Sequence, residues 1–166
     1  MFENKSILHP VLLHVIAVLF VIMNISSVQI AGISNVVPMF DLMFVFYFAV
    51  LRYSFGFWFV FLIGVWNDAL NGSPLGATAL CYILLINLFL LLNRKLWIRE
   101  NFTQVWQQFV IFSFLFLTMK WLILSLFSDN ILSVNTLLVQ LVLSSAIYVP
   151  MHKFFDYLSH KLLGDE

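Results

Sequence analysis

Three ionisable side chains fall inside long apolar segments of the chain: Asp41, Asp68 and Lys120. A charged group is expensive in an apolar medium, so each is a candidate for proton transfer, substrate binding or a structural ion pair. Asp41 and Lys120 lie at similar depth, roughly 8–9 Å from the ends of their predicted helices at 1.5 Å per residue. Asp68 lies nearer a helix end. We expect Lys120 to pair with Asp41 or to reach Asp68. Separate snorkelling of each group to the membrane surface and a substrate or proton site are the alternatives.

A second polar group has the spacing of metal ligands. His152, Asp156 and His160 follow one another at intervals of four, which places them on one stripe of a helix. Apolar residues form the opposite face: Met151, Phe154, Phe155, Leu158, Leu162 and Leu163. This pattern indicates an amphipathic helix over 151–163 that lies on the inner membrane surface with its polar stripe in water, in preference to a metal site.

Nucleophilic catalysis finds no support in the sequence. Cys81 is the only cysteine and lies in an apolar segment, so it forms no intrachain disulfide and is interpreted as a small buried filler. No serine or cysteine has a histidine at a plausible depth, since His9 and His14 lie in or before the first apolar segment. The sequence also lacks a phosphate-binding glycine loop. We expect a protein that is not an enzyme and that holds no cofactor or metal.

The amino-acid composition indicates that the chain lies in a lipid membrane. Hydrophobic residues make up 63% of the 166 and charged residues only 10%, against roughly 45–50% and about 25% in soluble domains. The chain is therefore predicted to be an integral membrane protein, with a single all-α domain over 1–166. Its zero formal net charge indicates no nucleic-acid partner. Six apolar segments are predicted to span the membrane: 11–28, 36–51, 55–70, 75–92, 105–126 and 131–149.

The basic residues predict the orientation. Seven of the eight Lys and Arg fall on one side of the predicted spans, and the eighth is Lys120 within a span: Lys5, Arg52, Arg94, Lys95, Arg99, Lys153 and Lys161. The positive-inside rule then places both termini in the cytoplasm. The basic loop 94–99 is expected to contact anionic membrane lipid, with a cytoskeletal filament as the alternative. The first span could also be a signal peptide, but no clear cleavage site follows it.

The most specific local pattern is the polar insert DALNGSPLG between the third and fourth spans. Four residues recur there at intervals of four: Gly64, Asp68, Gly72 and Gly76. Gly64 and Asp68 share a helix face. Gly72 suits a left-handed helix cap, and Pro74 cannot continue the helix. We expect Asp68 and residues 72–76 to shape the end of a tight hairpin by capping and turn geometry, with partner contact by Asp68 as the alternative.

Small residues also mark the face of the third span that packs. Gly56 and Gly64 are eight residues apart on one stripe of that helix. In a lipid-embedded helix, small residues let two backbones approach closely. We expect this stripe to pack against another helix of the same chain, with a partner subunit as the alternative.

The hairpin pattern, together with the six-span length, resembles the bacterial rod shape-determining protein MreD family. Pro38 followed by Tyr47-Phe48 is similar to the family's second-span pattern, with Phe48 where Trp is usual. Met39 stands where the family often has a polar residue, and Asp41 is the nearest acid. We assign structural or partner-binding roles to eight residues: Gly64, Asp68, Gly72, Pro74, Gly76, Pro38, Asp41 and Lys120.

The resemblance implies a non-enzymatic inner-membrane scaffold of the cell-elongation complex that supports lateral peptidoglycan synthesis. The implied partners are MreC, the MreB filament, and the RodA glycosyltransferase with its transpeptidase. The implied fold is similar to the substrate-binding subunits of energy-coupling-factor vitamin importers. Such an importer subunit is the alternative function, although Ala17 and Val21 do not give the small-residue packing pattern usual in its first span. Its outer pocket would need to come from a small set of residues: Asp41, Asp68, Asn71, Lys120 and Asp129.

Overall fold

The computed structural model describes residues 3–24, 37–52, 54–96, 101–127 and 134–163. Over these ranges the chain is all-helical, as predicted, and forms six α-helices without a strand: α1 Glu3–Met23, α2 Phe40–Val45, α3 Phe57–Asn71, α4 Ala77–Leu96, α5 Phe102–Phe127 and α6 Val134–Leu163. Helix α2 continues directly into a π-helical segment, Phe46–Leu51. The wider π turn is seen where Arg52 N–H donates to the carbonyl of Tyr47, five residues earlier, at 3.1 Å.

Helix α2 and its π-helical segment lie at the centre of the bundle. Every residue from Asp41 to Leu51 is buried. Helices α1 and α6 pack against α2, and α4 packs against the π-helical segment. The Phe46 ring contacts the rings of Phe109 in α5 and Tyr148 in α6. The phenylalanines of this segment therefore fill the core between the surrounding helices.

Two helices in the described part of the chain are long and apolar enough to cross a membrane, over Phe102–Leu126 and Val134–Lys161. The other apolar helices are shorter: Leu12–Met23, Phe40–Leu51, Phe57–Asn71 and Ala77–Leu91. Large apolar side chains remain exposed on the outside, and Trp58 and Leu126 are each 83% exposed. Soluble monomers rarely expose extensive apolar surface, so this outer face fits a membrane protein.

The second predicted span, 36–51, differs from the observed element. The helix begins only at Phe40, after the non-helical residues 37–39, and ends at Leu51. Twelve residues at 1.5 Å each give about 18 Å, well below the roughly 30 Å of a bilayer core. This segment is thus a short, enclosed central helix, and its neighbours present the outer surface.

The C-terminal region also differs from the sequence expectation. A separate surface helix over 151–163 was predicted, but the structure has a single helix, Val134–Leu163, with Pro150 inside it. Pro150 lies on an exposed face, where its ring displaces no packed neighbour. The predicted polar stripe faces water only in part, because His160 is exposed but His152 is buried and Asp156 is half-buried against the bundle.

Candidate functional site

Asp41 is the polar centre of the bundle. It lies in the first turn of α2 and is 3% exposed. Its Oδ1 accepts a hydrogen bond from Asn24 Nδ2 at 2.5 Å. Its Oδ2 accepts hydrogen bonds from Asn67 Nδ2, at 2.6 Å, and from the Tyr82 hydroxyl. Asn24 follows α1, Asn67 lies on α3 and Tyr82 lies on α4, so the carboxylate of Asp41 joins four helices. The three donors compensate the cost of burying its charge.

Lys120 does not form the predicted ion pair. Within the described residues its Nζ has no carboxylate oxygen of Asp41 or Asp68 within 4 Å, and the one ion pair there joins His152 and Asp156. Lys120 Nζ instead lies 5.8 Å from the centroid of the Phe116 ring, one turn earlier on α5. The carboxylate of Asp41 instead accepts hydrogen bonds from three neutral donors.

A cavity of about 300 Å³ brings Asp41 and Lys120 to a common space. Its polar lining comes from α2, α3, α5 and α6, and the residues that matter below are Asp41, Asn67, Asn71, Lys120, Trp121 and Gln140. The volume reaches the lower end of the range typical of small-molecule sites. Asp129, which the importer alternative would add to such a pocket, lies outside the described residues.

The segment before α2 is fixed to α6 on one side of this cavity. Pro38 is buried, and its carbonyl accepts a hydrogen bond from Phe40 N–H at 2.9 Å. Met39 N–H donates to Ser144 Oγ at 3.1 Å, and Gln140 Nε2 donates to the Val37 carbonyl at 3.0 Å. The backbone groups of Val37 and Met39 are therefore satisfied by side chains of α6, and this attachment positions Asp41 at the start of α2.

Asp68 connects the end of α3 to the beginning of α4. It is fully buried, and its Oδ2 accepts hydrogen bonds from Gly76 N–H at 3.0 Å and Thr78 N–H at 2.9 Å. These are amides at the N-terminus of α4, where unpaired N–H groups and the helix dipole favour an anion. The sequence predicted capping at this hairpin, but it did not predict that an acid of α3 would cap the following helix.

The turn between these helices has the backbone geometry that its glycines permit. Gly72 ends α3 with φ +64°, and its N–H and that of Ser73 donate to the Asp68 carbonyl. Gly76 has φ +95°. Between these two glycines, the carbonyl of Pro74 accepts a hydrogen bond from Ala77 N–H at 3.1 Å. Two positive φ angles in five residues are easily adopted only by glycine.

Gly64 allows α3 and α4 to meet backbone to backbone. A Cβ atom at Gly64 would lie 2.4 Å from the Cα of Ala79 and 2.6 Å from its N. Gly56, the other member of the predicted packing stripe, is different, because a Cβ there would meet nothing within 4 Å. Of the two glycines in the predicted stripe, only Gly64 makes a close contact with another helix of this chain.

A second polar cluster lies at the opposite end of the central segment. His152 and Asp156 were predicted to share a helix stripe, but their contacts with Tyr47 and Tyr148 were not predicted. The Tyr47 hydroxyl donates to Asp156 Oδ1. His152 Nε2 lies 3.4 Å from Asp156 Oδ2, and its Nδ1 lies 3.2 Å from the Tyr148 hydroxyl. No group of three or more potential metal ligands is found among the described residues. The signal that could have located this cluster is Tyr47, because a hydroxyl in a buried apolar segment needs a partner.

Comparison with known proteins gives one match. The model of the family described as rod shape-determining protein MreD matches residues 4–158. No curated protein and no solved structure matches the chain. Because the family model covers nearly all of the 166 residues, the resemblance noted in the hairpin sequence is confirmed, and the chain belongs to the MreD family of rod shape-determining proteins.

Proposed function

We propose that this protein is a non-enzymatic, multi-pass inner-membrane scaffold of the cell-elongation complex. The observation that carries the proposal is the family match over residues 4–158. The arrangement of buried polar groups supports it, because Asp41 and Asp68 both accept hydrogen bonds that join helices. In this role the bundle would hold partners in a fixed relation while they carry out lateral peptidoglycan synthesis.

The proposed partners are MreC, the MreB filament, and the RodA glycosyltransferase with its transpeptidase. Both termini and the basic loop 94–99 are proposed to face the cytoplasm, as the distribution of Lys and Arg indicates. The loop would then contact anionic lipid. An arrangement of helices like that of importer substrate-binding subunits remains part of this proposal, while the importer function itself gains no support from the family match.

Complementation of cell shape tests the proposal. In a rod-shaped host depleted of its own family member, the wild-type chain should restore rods. Asp68→Ala removes the acceptor for Gly76 and Thr78, and Gly76→Leu places a side chain at φ +95°. Both variants should insert at normal levels and give rounded cells, because the hairpin end is deformed.

The matched control is Gly56→Ala, whose added methyl group meets no neighbouring atom within 4 Å. It should restore rods as well as the wild type. Normal rods from both Asp68→Ala and Gly76→Leu, at wild-type membrane levels, would contradict a scaffold role for this hairpin.

A further inference from the structure

The polar cavity next to Asp41 continues into an apolar groove. The groove, of about 220 Å³, runs between α5 and α6. Three residues line both spaces and form the boundary between them: Leu117, Trp121 and Leu137. On its open side the groove is bordered by Phe114, Val134 and Leu138, which are 53–60% exposed. A polar pocket and a hydrocarbon-lined groove therefore share one wall at the surface where lipid chains lie.

Lys120 is the basic residue that lines the polar cavity. Asp41 is buried and already accepts three hydrogen bonds from neutral donors. Lys120, which lines the same cavity, is half-buried and has no carboxylate partner among the described residues. An ammonium group that faces a cavity in an apolar bundle, and that forms no ion pair with a carboxylate of the described residues, favours an anionic ligand.

The apolar groove identifies the kind of anion. Its walls are almost entirely hydrocarbon, with Thr118 as the single residue in the groove that bears a side-chain hydroxyl. A free inorganic anion would use the cavity and leave the groove empty. An anion with a hydrocarbon chain fills both, with its charge on Lys120 and its chain between α5 and α6.

We propose that this protein binds one anionic phospholipid, with the phosphate of the headgroup on Lys120 and one acyl chain in the groove between α5 and α6. Amide groups that line the cavity, from Asn71 and Gln140, offer polar contacts to the rest of the headgroup. Trp121 lies where headgroup and chain meet, a position that suits an amphipathic ring. This site is independent of the proposed role in cell shape.

Lipid retention measured by native mass spectrometry tests the headgroup contact. The full-length protein, purified in a neutral detergent, is titrated with phosphatidylglycerol. One lipid should be retained with saturable affinity, and Lys120→Gln should weaken that affinity about tenfold, since it removes a charge-assisted contact. Lys153→Gln removes the same charge from an exposed position on α6 and should leave the affinity unchanged. Equal retention by Lys120→Gln and the wild type would overturn the proposal.

A second pair of variants tests the chain contact. Leu138 and Leu122 have similar exposure, 53% and 52%, but only Leu138 lines the groove. Leu138→Trp should obstruct the groove and reduce phosphatidylglycerol retention several-fold, whereas Leu122→Trp should not. Because both carry the same substitution, a general loss of fold would affect both.

Competition by glycerol 3-phosphate, which has the anionic headgroup but no chain, separates a lipid from a small soluble anion. The proposal predicts that glycerol 3-phosphate displaces phosphatidylglycerol only at a concentration at least a hundredfold higher. Displacement at equal concentration, or equal retention by Leu138→Trp and Leu122→Trp, would show that the groove does not hold a chain and would overturn the assignment to lipid.

Discussion

Replacing Gly64 with alanine tests the direct contact between α3 and α4. The new Cβ would lie 2.4 Å from the Cα of Ala79, whereas carbon atoms in contact are normally about 3.5–4.0 Å apart. The helices must therefore separate locally by about 1 Å. Overpacking of this kind typically costs about 1–3 kcal/mol, and the better helix propensity of alanine offsets about 0.5–1 kcal/mol of it. We expect the free energy of unfolding to fall by about 1–2 kcal/mol.

Cys81 provides the assay. It is the only cysteine in the chain, it is fully buried, and it lies on α4 two residues after Ala79. A thiol reagent labels it only when this part of the bundle opens, so the labelling rate of the protein in detergent reports the open fraction. A loss of about 1–2 kcal/mol should raise that rate about 5- to 30-fold for Gly64→Ala.

Gly56→Ala is the matched control for this experiment. Gly56 precedes α3 with φ −73°, and an added Cβ meets no atom within 4 Å. Because Gly56 is the N-cap of α3, alanine there should cost about 0.5–1 kcal/mol, which raises the labelling rate of Cys81 by no more than about 2- to 5-fold. If Gly64→Ala labels no faster than Gly56→Ala, the close approach of α3 and α4 is wrong.

The remaining predictions concern polar groups and α6, and each is read from the unfolding curve of purified protein in mixed micelles. Asp68→Ala should lower the free energy of unfolding by about 1–3 kcal/mol, and Asp68→Asn, which keeps an acceptor, by less than half as much; equal losses would refute capping by the carboxylate. Tyr82→Phe should cost about 1.5–3 kcal/mol, because Asp41 loses one of its three donors; no change would contradict that contact. Pro150→Ala should stabilise the protein by about 1 kcal/mol or more if α6 is continuous, and an unchanged curve would favour a separate helix over 151–163.

Local rules were sufficient to predict the hairpin. Gly72 and Pro74 determine where α3 stops, since the left-handed cap and the proline ring act over a few residues. The family could be recognised from the same stretch. The partners of Asp68 could not be predicted, because the amides of Gly76 and Thr78 approach it only once α3 and α4 pack.

Depth in the membrane proved a poor guide to pairing. Asp41 and Lys120 were expected at comparable distances from the ends of their predicted spans, but Asp41 lies in the first turn of α2 and Lys120 lies well inside α5. Depth also says nothing about the direction in which a side chain points. The donors that Asp41 actually uses, Asn67 and Tyr82, are neutral residues, and no charge pattern draws attention to them. Asp41 with these amide and hydroxyl partners forms a network that only the three-dimensional packing reveals.

Burial of the central helix also could not be predicted from hydrophobicity. In a membrane protein, lipid-facing and core-facing residues are both apolar, so an apolar run does not distinguish the enclosed segment Phe40–Leu51 from an outer helix such as α3. The same ambiguity affected α6, where His152 and Asp156 were interpreted as a wet face. Their position against Tyr47 shows that polar residues of a membrane bundle can mark its interior.

Affinity purification of the tagged protein from native membranes in a gentle detergent, with partners identified by mass spectrometry, tests the central proposal most directly. The scaffold role predicts that MreC and the RodA glycosyltransferase with its transpeptidase are recovered with the wild type and are depleted with Asp68→Ala. Recovery of a transmembrane coupling subunit with paired ATPases, and no elongation protein, would contradict it.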